Sequence, residues 1–212
     1  MIALTNKFNT TFPRYSASFF TGSTFIVEPR NATNGKFYKL ELTGIDGFSF
    51  PHGLGSALSS FATNANHTGS LNKDCDGIIL FEYGGQKYML FAELKSTFST
   101  DDLGKAQEQI VGTSIKFIST LSVLEGVNID EYKIIGVIVS YEATSEQITG
   151  ISKNNDGKAR FAIRLNFDKK VILSGAPYHQ LYSPLSVKDM TIYHVPVIEN
   201  STYHTVDIGA LL

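Results

Sequence analysis

Residues 76–97, DGIILFEYGGQKYMLFAELKST, decide the fold of this chain, because two apolar runs flank a YGGQK turn. The Gly84-Gly85 pair supplies the positive φ angles of a tight reversal, so the segment reads as a β-hairpin. Downstream, residues 104–126, GKAQEQIVGTSIKFISTLSVLEG, place Ala106, Ile110, Phe117, Leu121 and Leu124 on one apolar stripe, which predicts a helix. Asp101 or Asp102 stands near its expected N-cap and Gly126 at its expected stop. Residues 132–142, YKIIGVIVSYE, then read as a buried β-branched strand. A strand, a crossover helix and a parallel strand follow from that order.

Outward from this centre, residues 23–28 and 36–42 read as strands separated by the turn-rich PRNATNG. Residues 54–66, LGSALSSFATNAN, permit a short helix after the breaker PHG. On the C-terminal side, residues 159–167 (ARFAIRLNF), 169–175 (KKVILSG) and 190–198 (MTIYHVPVI) read as further strands. The expected architecture is α/β (α+β): one domain over residues 1–212, with a single mixed sheet and extra N- and C-terminal strands around a hairpin–helix–strand centre at 71–141. The 212 residues, 42% hydrophobic and 18% charged, suit one well-cored domain.

A net charge of −2 excludes a protein that grips nucleic acid by bulk positive charge, so any such contact must be local. Cys75 is the one cysteine; it cannot pair internally and reads as a core filler of an intracellular, cytoplasmic protein. No window approaches the length of a membrane span, and the N-terminus lacks a signal pattern, so no membrane association is expected. Five scattered histidines lack metal-ligand spacing, and no Gly-rich phosphate loop occurs.

The chemistry-bearing residues sit on the hairpin. Alternation along a strand sends Glu93 and Lys95 to one face and Leu94 to the other, and antiparallel pairing brings Asp76 to the same end. Two converging carboxylates repel unless a cation lies between them. A hard divalent ion, Mg²⁺ with Mn²⁺ as its expected substitute, takes carboxylate and carbonyl oxygens, and the Leu94 carbonyl is the expected third ligand. Lys95 then stands where an ammonium can orient a water and offset charge on a phosphate. Asp74, two residues before Asp76, competes for the first-ligand role, and spacing does not choose between them.

This arrangement resembles the PD-(D/E)XK (restriction endonuclease-like) nuclease superfamily. The resemblance implies that Asp76 and Glu93 are the acidic metal ligands and that Lys95 is the lysine that positions the attacking water. It also implies that the following helix packs against the site and points a glutamine at it, Gln109 first and Gln107 second. Departures are the absence of a proline before Asp76 and of a glutamate in the upstream helix segment. The implied function is Mg²⁺-dependent phosphodiester hydrolysis, with DNA the favoured substrate and a restriction, defence or repair endonuclease the expected type. Lys105 and Lys116, with Lys158, Arg160 and Arg164 in the basic stretch 153–170, are the expected phosphate contacts. A rival reading keeps the fold as a non-catalytic nucleic-acid-binding or assembly subunit of a larger defence complex. A homodimer or a partner subunit is compatible with either, and no interface signature marks one.

Overall fold

The computed structural model describes residues 1–20, 24–29, 39–51, 53–59, 73–174, 189–198 and 203–212. In chain order the elements are α1 (Ile2–Thr11), β1 (Ser18–Phe20), β2 (Phe25–Val27), β3 (Lys39–Thr43), β4 (Gly47–Ser49) and α2 (Gly53–Ser59). The centre follows as β5 (Gly77–Tyr83), β6 (Gln86–Leu94), α3 (Thr100–Ser122) and β7 (Tyr132–Tyr141). The chain then forms α4 (Ser145–Ser152), α5 (Gly157–Asp168), β8 (Lys170–Leu173), β9 (Met190–Val197), β10 (Tyr203–Asp207) and α6 (Ile208–Leu211). Among the described residues no helix is long and apolar enough to cross a membrane.

The expected hairpin is β5–β6. Gly84 and Gly85 both have positive φ, 58° and 75°, a conformation that glycine adopts without steric cost. They set an antiparallel register from Tyr83↔Gln86 to Gly77↔Ala92. β7 lies parallel to β6, from Lys87↔Tyr132 to Leu94↔Val139, so α3 is the crossover between them. The sheet order is β1-β4-β5-β6-β7-β9-β8, a mixed sheet of seven strands.

The single-sheet expectation is corrected: β2, β3 and β10 form a second, three-stranded mixed sheet in the order β10-β3-β2. The physical reason lies in β6, whose residues from Tyr88 to Leu94 are all buried, so both faces of the main sheet need cover. On one face Met89 and Phe91 share a core with Ala106, Ile110, Phe117 and Leu121 of α3, and the same core includes Ala159, Ala162 and Leu165 of α5. On the other face Leu90, Ala92 and Leu94 meet Val27, Leu40 and Leu42 of the small sheet. The alternating burial of β3 gives that sheet one apolar side to offer.

Several boundaries move. Residues 159–167, expected as a strand, are helical in α5, so Lys158, Arg160 and Arg164 of the basic stretch stand on a helix. The alternation of Ala159, Phe161, Ile163 and Leu165 imitates a strand, but Ala162 is also fully buried and Asp156 caps the helix by accepting from the Ala159 amide at 2.7 Å. The N-cap of α3 is Ser99, whose hydroxyl accepts from the Asp102 amide at 3.1 Å, and Asp101 and Asp102 stand near it as expected, in the first turn, where the helix dipole favours them. α3 ends at Ser122, short of Gly126, whose positive φ of 71° serves the following turn. α1, β1, β4, α4, β10 and α6 were not expected from the sequence. The expected strand parts at residues 23 and 36–38 and the helix part at 60–66 lie outside the described residues, as do 71–72 of the expected centre and residue 175.

Candidate functional site

The β5–β6 ladder ends at Gly77↔Ala92, which leaves Asp76 beside Glu93 at the margin of the sheet. Asp76 is held to β6 by backbone and side chain: its amide donates to the Ala92 carbonyl at 2.9 Å, and its Oδ2 accepts from the Leu94 amide at 2.9 Å. That second bond caps a strand amide beyond the end of the β5–β6 ladder.

Glu93 shares the α3-facing side of β6 with Met89 and Phe91 and is only 3% exposed. Its Oε1 accepts from Lys95 Nζ at 2.7 Å, and Lys95 Nζ also donates to Gln109 Oε1 at 2.6 Å. Gln109 Nε2 in turn donates to the Asp74 carbonyl at 2.9 Å. The network runs from strand to helix and back to the segment before Asp76. Glu93 Oε2 is buried and has no hydrogen-bond partner among the described residues. Burial, and then the neighbouring charge of Asp76, push the Glu93 carboxyl up to about 8, with the Lys95 ammonium opposing them.

Asp76, Glu93, Leu94, Lys95 and Gln109 therefore come together, and with Pro29, Lys73 and Asp74 they line one open cleft of about 390 Å³. The donor set fits a hard divalent cation: a second carboxylate stands next to a buried carboxylate oxygen that has no hydrogen-bond partner among the described residues. Among the described residues no three His, Cys, Asp or Glu side chains gather as a ligand set. A metal held here would have to draw on the two carboxylates and the Leu94 carbonyl.

Asp74 also lines the cleft, but its carboxylate is ion-paired with Lys116, which favours Asp76 as the ligand. Gln107 is not among the lining residues. Lys105 is exposed one turn before Gln109 on α3. Lys116, expected at a phosphate-facing surface, is corrected: its side chain is 1% exposed and donates to the Lys73 carbonyl at 2.9 Å. The reason is that its position on α3 faces the 73–76 segment and not solvent. Lys158, Arg160 and Arg164 are exposed on α5 and do not line the cleft. Lys158 reaches Asp101 at 3.3 Å, and Arg164 lies 3.9 Å from Asp168.

The sequence reading missed Lys73, which lines the cleft and pairs with Glu108, and Thr113, whose Oγ1 accepts from the Cys75 amide at 2.9 Å. The available signal was the spacing of Gln109, Thr113 and Lys116, a polar i, i+4, i+7 row beside the apolar stripe. Cys75 is fully buried, in keeping with a core role. Among the histidines, His52, His67 and His179 lie outside the described residues, while buried His194 meets Ser140 Oγ through Nε2 at 2.9 Å.

Comparison with models of known families, with curated proteins and with solved structures finds no match for this chain.

Proposed function

We propose that this protein is a divalent-metal-dependent nuclease with a PD-(D/E)XK-type site that hydrolyses phosphodiester bonds, with DNA as substrate. One observation carries the reading: a buried Glu93, its Oε2 without a hydrogen-bond partner among the described residues, stands beside Asp76, while Lys95 is held in the same cleft by Glu93 and Gln109. The β5–β6–α3–β7 order supports a restriction endonuclease-like core.

Asp76, Glu93 and the Leu94 carbonyl would hold Mg²⁺, or Mn²⁺ in its place. When bound, the ion supplies a Lewis acid for the phosphoryl oxygens and lowers the pKa of the attacking water. Lys95 keeps its ammonium at a fixed point between Glu93 and Gln109, where it orients the water and meets negative charge that builds on the phosphate. Gln109, itself restrained by the Asp74 carbonyl, keeps the lysine from swinging away. Lys105 is exposed on the same helix and offers a phosphate contact in a chain whose net charge is −2. The exposed Lys158, Arg160 and Arg164 extend the basic surface over α5.

Cleavage of plasmid DNA with Mg²⁺ or Mn²⁺, and with EDTA, tests the reading on the wild type beside Glu93→Ala and Lys95→Ala. Loss of a catalytic group of this kind lowers the rate by about 10²–10⁴-fold. Equal cutting by all three proteins would refute the proposal. A second reading, a non-catalytic nucleic-acid-binding or assembly subunit, is favoured by the Lys95–Glu93 ion pair, which offsets one carboxylate without any ion. Calorimetry that gives no heat with Mn²⁺, with or without DNA, selects that second reading.

A further inference from the structure

Three α3 side chains grip the backbone that leads into Asp76. Gln109 Nε2 donates to the Asp74 carbonyl at 2.9 Å, Thr113 Oγ1 accepts from the Cys75 amide at 2.9 Å, and Lys116 Nζ donates to the Lys73 carbonyl at 2.9 Å. Lys116 also closes an ion pair with the Asp74 carboxylate, its own side chain 1% exposed and that of Asp74 9% exposed. Three consecutive residues, 73, 74 and 75, are thus fastened to one row of one helix. Gln109 belongs to the reaction already proposed, through its bond to Lys95. Thr113 and Lys116 are not among the residues that line the cleft.

We propose that Thr113 and Lys116 are positioning residues: they clamp residues 73–75 onto α3 and thereby set where the Asp76 carboxylate stands opposite Glu93. The inference rests on the reading of Asp76 and Glu93 as metal-holding carboxylates. A buried lysine is expensive to keep unless its charge is matched and its protons are bonded, and here both needs are met by the segment that ends at Asp76. The pair also engages the Asp74 carboxylate, so the lysine that occupies Asp74 is the one that fastens the segment leading to Asp76. α3 is anchored in the core by Ala106, Ile110, Phe117 and Leu121, all fully buried, so the clamp transmits a rigid reference to an otherwise non-strand segment.

The Leu94 amide reports the position of Asp76 without any metal or turnover, since it donates to Asp76 Oδ2. In Thr113→Val and Lys116→Met, which keep the bulk and remove the polar grip, its hydrogen exchange rises roughly tenfold or more while the Leu90 amide of the same strand keeps its rate. Mn²⁺ affinity by calorimetry falls by about 10–100-fold in both variants, and Thr113→Ser restores it. Unchanged exchange at Leu94 in both variants overturns the clamp, as does equal acceleration at Leu90, which would mark a global loss of stability. A wild-type protein that takes up no Mn²⁺ sinks the metal-site reading, and the exchange comparison still decides the clamp.

Discussion

Replacing Glu93 by Gln removes the ionisation that burial and Asp76 oppose, so in the absence of metal the substitution should stabilise the protein. The carboxyl ordinarily titrates at 4.5 and in the fold at about 8. Because the folded value lies above the unfolded one, the stability tied to this proton is fully present below pH 4.5 and is lost as pH rises towards 8. At pH 7 the interval from 4.5, taken at 1.36 kcal/mol per pH unit, amounts to about 3 kcal/mol. Glutamine keeps an oxygen for Lys95, which now donates to Oε1 at 2.7 Å, and has no such titration. For a chain of this size, about 3 kcal/mol corresponds to roughly 6–12 °C in Tm. Thermal unfolding in EDTA at pH 5, 7 and 8 should show E93Q gaining on the wild type as pH rises. Mg²⁺ should then narrow the gap at pH 8 by stabilising the wild type alone, as a ligand that binds only the folded state must. A wild type whose metal-free Tm runs parallel to that of E93Q from pH 5 to 8 refutes the buried, repelled carboxylate.

Two further outcomes follow from the packing. Burial, then the charge of Lys169, lower His194 from 6.5 to about 4, so the unfolded chain binds its proton more readily and stability is lost as pH falls from 6.5 towards 4. The loss amounts to about 3 kcal/mol, and urea unfolding should find it as a wild-type stability, relative to His194→Gln, that is lower by that amount at pH 4 than at pH 7. In Gly136→Ala the added Cβ would lie 2.9 Å from Ile110 Cγ2 and 3.0 Å from Ile192 Cγ1. Overpacking between α3 and the sheet should cost about 1–3 kcal/mol, read as a lower urea midpoint, and an unchanged midpoint would mean that the helix shifts freely.

What the sequence determined by itself was local. Two glycines that accept positive φ fix the β5–β6 turn, and strict alternation along β6 then puts Glu93 and Lys95 on one side with Leu94 on the other. The 3.6-residue period of Ala106, Ile110, Phe117 and Leu121 likewise specifies α3 and presents Gln109 beside its apolar stripe. The tertiary structure decided whatever depends on partners distant in sequence. α5 shows the limit well: its apolar residues suit either period, and packing against the core resolved what alternation left ambiguous. The second sheet exists because both faces of β6 must be covered, a demand that no single strand announces. Lys116 reads as a surface cation until the 73–76 segment folds over it, and the proton affinity of Glu93 is set by burial and by Asp76 from the neighbouring strand's start. Backbone periodicity is a property of neighbours along the chain, whereas desolvation and charge pairing are sums over neighbours in space, and those sums arise only once the sheet and α3 have closed together.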